Sequence, residues 1–240
     1  VELFRLCFAR LDVRDHSRRD LEAFADIVKL NGLSRTDPRT MPESQRMELL
    51  TTLLAQPSYL DLLRGVSADT QEVVRTFKVM GDYLEQVDPE AVDGYIISMT
   101  HQPSDVLIVL WLCQQTDLFR RASVGWRSAV NIIPLFEGID DLRRAHEAMA
   151  ALYQHPAYQH HLKARGHLQQ IQRWRISHRE LGVVSDAATL ARRGRCPPGQ
   201  APAVPWARWD HRSRRWSAAS SHRGTALRHG AGTDQDHRAG

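Results

Sequence analysis

Apolar and polar positions along the first 171 residues follow two periods, and they alternate. The opening run VELFRLCFARLDVR is mostly apolar and then abruptly charged, which predicts a buried strand over Leu6–Val13 with Asp12 and Arg14 delivered at its C-terminal end. RRDLEAFADIVKLNG places Leu21, Phe24, Ala25, Ile27 and Val28 on a helical period, with Gly32 as a stop. MPESQRMELLTTLLAQP predicts a second helix, opened by Pro42 and closed before Pro57. A third has Ser67 as its N-cap and a core stripe of Val73, Val74, Phe77, Met80 and Leu84. Short apolar runs rich in β-formers predict strands over Gly94–Met99 and Val130–Phe136. A helix follows each: QPSDVLIVLWLCQQTDLF, with Ser104 as its expected cap, and DDLRRAHEAMAALYQHP.

Strand, polar loop, helix, strand is the alternation of a parallel α/β fold. Parallel strands end on one face, so Arg14, the Met99–Gln102 turn and Glu137 are expected there together. No internal repeat, glycine-rich phosphate loop or Walker motif is present. The apolar run DVLIVLWLC is too short for the ~18 residues of a membrane span and predicts a buried helix instead. No signal peptide is expected. The histidines of HPAYQHHLKARGH read as a solvated helix face rather than a metal cluster.

Charge divides the chain. Residues 1–171 carry 19 basic and 23 acidic side chains; residues 172–240 carry 13 arginines and 5 acids. The second segment has no Lys, Phe, Tyr or Met and few aliphatic residues, too little apolar surface to offset chain entropy, so a disordered tail is expected. Within it, PWARWDHRSRRW interleaves Arg and Trp as a nucleic-acid-binding arm would, since guanidinium meets phosphate and indole stacks on bases. One reading of the whole is therefore a helical interaction or nucleic-acid-binding protein with a basic tail. The odd cysteine count, Cys7, Cys113 and Cys196, lacks metal-ligand spacing and fits a reducing cytoplasm.

A second reading rests on four segments in order, LDVRDHS, YIISMTHQPSDVL, NIIPLFEGIDDLRRA and YQHHLKARGHLQQI. Together they resemble the central barrel of bacterial phosphoenolpyruvate carboxylase, over residues 1–171, with Asp15 where the family has Gln and Gly138 where it has Thr. The resemblance implies an incomplete, helix-rich (β/α)8-barrel fragment of a cytoplasmic lyase, usually homotetrameric, that carboxylates phosphoenolpyruvate with bicarbonate to oxaloacetate and phosphate. It implies Mg2+ or Mn2+ as cofactor, with Glu137 as a metal carboxylate. It also implies Arg14 as a substrate-binding arginine and Leu135 as part of the wall against the substrate's methylene. It implies no membrane and no specific nucleic acid as partner.

The family's catalytic histidine is expected upstream of Val1, and its strand ending G-Y-S-D-S-x-K-D-G-G and its loop H-G-R-G-G-x-x-G-R-G-G are missing. Both motifs return when the tail is read as DNA displaced by one base. Trp has the single codon TGG, so Trp174, Trp206, Trp209 and Trp216 all become Gly in that frame. With permitted codons, Ile171–Val184 then yields S-K-D-G-G-Y-L-T-A-N-W-E-L, and Pro205–Trp216 yields H-G-R-G-G-T-I-G-R-G-G. The expectation is a barrel fragment over 1–171, a frameshifted tail over 172–240, no catalytic residue of the family in the chain, and no activity for the chain alone.

Overall fold

The computed structural model describes residues 10–56, 60–166, 168–169 and 171–173, with the strands at 207–210 and 215–218. Strand β1 (Leu11–His16) runs directly into helix α1 (Ser17–Leu30), whose first turn is capped by the His16 imidazole accepting from the Arg18 N–H. Helices α2 (Glu43–Ala55) and α3 (Ala68–Gln86) lead to β2 (Val92–Ser98). Helix α4 (Pro103–Gln115) is followed by a hairpin, β3 (Phe119–Arg121) and β4 (Trp126–Ser128), and then by β5 (Asn131–Phe136). Helices α5 (Ile139–Gln154) and α6 (Pro156–Ala164) precede short strands β6 (Leu168–Gln169) and β7 (Gln172–Arg173), and strands β8 (Ala207–Asp210) and β9 (Arg215–Ala218) follow later in the chain.

Four strands form one sheet in the order β1-β2-β5-β7, all parallel. Successive side chains alternate between its faces. Tyr95, Ile97, Ile132 and Phe136 join the helices in the main core, whereas Ile96, Ile133 and Leu135 make a separate cluster on the other face. Gly94 sits where β2 and β5 approach closely: a Cβ there would lie 2.6 Å from Ile133 Cδ1 and 3.3 Å from the Asn131 carbonyl oxygen. Helix α4 is apolar all round, and every residue from Pro103 to Cys113 is buried. It packs against α1, α2, α3 and α5 as well as β3 and β5, which is what a helix without a polar stripe requires. Trp111 at its centre meets Phe24 of α1 edge to face, with centroids 5.0 Å apart.

The structure bears out the parallel α/β alternation, and it corrects several details. Strand β1 continues through Arg14 to His16, because its backbone pairs with β2 as far as His16–Ser98; residues 6–9 of the expected strand lie outside the described residues. The cap of α4 is Gln102, not Ser104. Pro103 occupies the first helical position, and Asp105 returns its carboxylate to the His101 and Gln102 N–H groups. Ser104 instead gives both its N–H and its hydroxyl to Glu43 of α2. Helix α6 and its cap do not present His155, His160 and His161 as a solvated face, and His167 lies outside the described residues. His155 and His161 are buried, and His160 stacks on Trp126.

The tail expected to be disordered lies mostly outside the described residues. Gln172–Arg173 pairs with Leu135–Phe136, supplying backbone partners to an edge of β5. Strand β9 pairs with β8 and with β6. Four parallel strands are an open α/β sheet; closure into a barrel is not seen among the described residues.

Candidate functional site

The parallel register brings the C-terminal ends of β1, β2 and β5 to one rim, and the polar groups named from sequence meet there. On the face opposite the helices, Arg14 of β1, Ile96 of β2 and Ile133 of β5 stand side by side, with Ser98 and Leu135 one step nearer the rim. Arg14 Nη2 lies 2.7 Å from Glu137 Oε1, just beyond β5. Its Nε donates to Ser98 Oγ at 3.0 Å, and that hydroxyl donates to the Asp15 carbonyl oxygen at 2.9 Å. The Arg14 side chain is about half exposed, 53%, against 19% for Glu137, so the guanidinium retains open faces above a largely covered carboxylate. Leu135 is buried just below it. A charge-assisted guanidinium beside an apolar wall suits an anion with a short apolar part.

The loop after β2 is held tightly. Met99 adopts φ 54°, a left-handed conformation that an unbranched side chain tolerates at some cost. It is fixed by Ser17 Oγ donating to its carbonyl at 2.7 Å. Thr100 then ties the loop to the end of β5: its N–H donates to the Leu135 carbonyl, and its hydroxyl accepts from the Leu135 N–H. His101 Nδ1 lies 2.9 Å from Asp141 Oδ1 at the start of α5.

Both positions that depart from the family pattern have local accounts. Asp15 pairs with Arg19 one turn along α1, at 3.0 Å. Gly138 leaves room for the Asp141 carboxylate, which a Cβ at that position would meet in a clash.

Beneath the rim, on the helix side, Asp20 is fully buried and accepts from the Tyr95 hydroxyl at 2.8 Å. Burial pushes its carboxyl well above the usual carboxylate range, and the neighbouring Asp15 and Asp105 add to this. Asp105 is raised for the same first reason, burial, against the two N–H groups it accepts from.

The described residues do not by themselves fit a resident divalent cation. Among them no group of three His, Cys, Asp or Glu side chains converges. Mg2+ takes roughly six oxygens in a regular array, and Glu137 offers one carboxylate already neutralised by Arg14. Ser98, Asp20 and Asp141 were not singled out from sequence, and His101 entered only as part of the Met99–Gln102 turn. Ser98 had a signal: in an alternating strand it shares the face of Ile96, and parallel pairing puts that face level with Arg14.

The family model described as phosphoenolpyruvate carboxylase matches residues 1–172. Curated relatives named phosphoenolpyruvate carboxylase include one from Rhodothermus marinus, 38% identical over 180 residues, covering 71% of this chain and 19% of the relative. Another, from Roseiflexus castenholzii, is 37% identical over 172 residues, covering 71% and 18%. A third, from Trichormus variabilis, is 33% identical over 160 residues, covering 66% and 15%. The chain thus spans about a fifth of the length of these relatives.

Proposed function

The chain belongs to the phosphoenolpyruvate carboxylase family, and from that membership we propose that it contributes one wall of the substrate site of a carboxylating lyase. The reaction joins bicarbonate to phosphoenolpyruvate, giving oxaloacetate and phosphate. Bicarbonate oxygen attacks phosphorus, and the enolate oxygen leaves with the electron pair of the broken P–O bond. Carboxyphosphate then releases CO2, and the enolate carbon captures it.

Arg14 carries the reading. Its guanidinium sits at the rim, charged and about half exposed, where it can take phosphoryl or carboxylate oxygens of the substrate. Leu135 supplies the apolar wall for the methylene. Glu137 is proposed as one carboxylate of a cation set, Mg2+ or Mn2+, that this chain does not complete. The intact enzyme is proposed to be a cytoplasmic homotetramer built on a closed (β/α)8 barrel. Among the described residues no helix is long and apolar enough to cross a membrane.

The match to the family ends at residue 172, which supports placing the domain boundary beside Ile171 and reading residues 172–240 as a displaced frame. The nucleic-acid-binding alternative rests on the Arg/Trp tail alone and draws no support from a body that matches this family.

Resequencing the gene with its flanks tests the frame, and an unbroken frame encoding the Arg/Trp tail in several isolates overturns it. For the activity, the displaced frame and missing segment are restored in the full-length gene and oxaloacetate is assayed with and without bicarbonate. The restored enzyme is expected to be active and the present chain inactive. Glu137→Gln in the restored enzyme is expected to lower kcat by about a hundredfold or more, the scale of removing one electrostatic group. Full activity in that variant overturns the assignment.

A further inference from the structure

We propose that Ser98 is the positioning residue of the anion site headed by Arg14, an inference that rests on the reading of Arg14 given above. Arg14 rises from β1, Glu137 follows β5, and β2 lies between them. The guanidinium therefore reaches across a whole strand to its partner, and Ser98 is the β2 side chain that receives it on the way. The register pairs Ser98 with His16, two residues beyond Arg14, so the hydroxyl stands on the arginine's own face and nearer the rim.

A serine hydroxyl has one hydrogen, and this one goes to the Asp15 carbonyl oxygen at 2.9 Å. That commitment turns a lone pair toward Arg14 Nε, 3.0 Å away. The Nε edge is thus fixed to the sheet while the terminal nitrogens stay available. Glu137 holds one of them in the present arrangement. An arriving anion can take them by a small rotation of the guanidinium about its Nε anchor, without the side chain searching its rotamers. Arginine loses less per hydrogen bond when its fork is held in advance.

The test uses the full 240-residue chain, 15N-labelled at arginine, with inorganic phosphate as the probe. The Arg14 Nε–H signal is assigned by its loss in Arg14→Lys. In the parent chain and in Ser98→Thr this N–H is expected to exchange slowly and to shift on addition of phosphate. Ser98→Val, which has the shape of Thr without the hydroxyl, is expected to exchange as fast as free arginine and to bind phosphate about tenfold more weakly, the scale of one hydrogen bond to a charged group. If the Val variant does not fold by circular dichroism, Ser98→Ala is read against the parent chain on the same two signals. Equal exchange and equal phosphate affinity with and without the hydroxyl overturn the role of Ser98. Phosphate affinity unchanged in Arg14→Gln overturns the anion-site reading itself. Affinity lost in Arg14→Gln and kept in Ser98→Val overturns the positioning role alone.

Discussion

Acid should unfold this chain partly through one imidazole. His161 on α6 is 2% exposed, its Nδ1 lies 2.8 Å from Ser128 Oγ, and the Phe119 and Tyr158 rings flank it. Burial pushes its pKa down from 6.5 to about 3, with the Arg165 guanidinium adding to the effect. The folded chain therefore keeps His161 neutral across a range in which the unfolded chain takes up a proton. Below the unfolded pKa the unfolded state binds more protons, so stability is full above about pH 6.5 and falls as pH drops toward about 3. At full slope the loss is about 1.4 kcal/mol per pH unit, which integrates to about 2 kcal/mol between about pH 7.5 and about pH 5.

His161→Gln removes the titration and keeps an amide able to reach Ser128. Urea denaturation of both proteins, followed by far-UV circular dichroism, isolates the term. Asp20, Asp105 and Glu43, whose pKa values are raised, titrate in both proteins and cancel in the difference. Whatever the stability gap between the two at about pH 7.5, it should move by about 2 kcal/mol in favour of His161→Gln at about pH 5. A gap independent of pH would refute the claim that the imidazole is buried and neutral.

Two further outcomes follow from the packing. Trp111→Ala empties the centre of α4 against Phe24 and should destabilise by about 3–5 kcal/mol, read as a loss of cooperative unfolding or a large drop in urea midpoint. Ser67→Ala removes the acceptor for the Thr70 N–H at the start of α3 and the hydroxyl that donates to Asp26, and should cost about 1 kcal/mol in the same titration.

Periodicity carried most of the body's elements because β2 and β5 are short, mostly apolar runs and α1 and α3 bury one stripe each, whereas β1, expected as a buried strand, is a largely exposed edge. It failed where a local rule met a stronger one. Serine is the better N-cap by propensity, yet Pro103 fixes the first helical position and leaves Gln102 as the cap of α4. Charge at Asp12 and Arg14 read as the end of a strand, although in β1 those residues and His16 occupy one face of a continuing ladder. Three-residue strands such as β3 and β4 are too short to show alternation. His161 was unreadable because composition treats histidine as polar, whereas here it forms part of the apolar face of α6 together with Tyr158. At the site, parallel connectivity alone was enough to bring Arg14 and Glu137 to the same rim. The Ser98 link needed register, which emerges only when strands from distant parts of the chain are paired.

The burial of α4 on every side bears on the order in which the chain can be made. Translation proceeds from the N-terminus, so α1, α2 and α3 are synthesised before α4 and can receive it, but α5 and β5 come after it. Between the synthesis of Cys113 and that of Leu152, the most apolar helix among the described residues lacks part of its cover. Nascent chains arrested in that interval should be the ones that recruit holdase chaperones and aggregate on release, and chains extended past α5 should not.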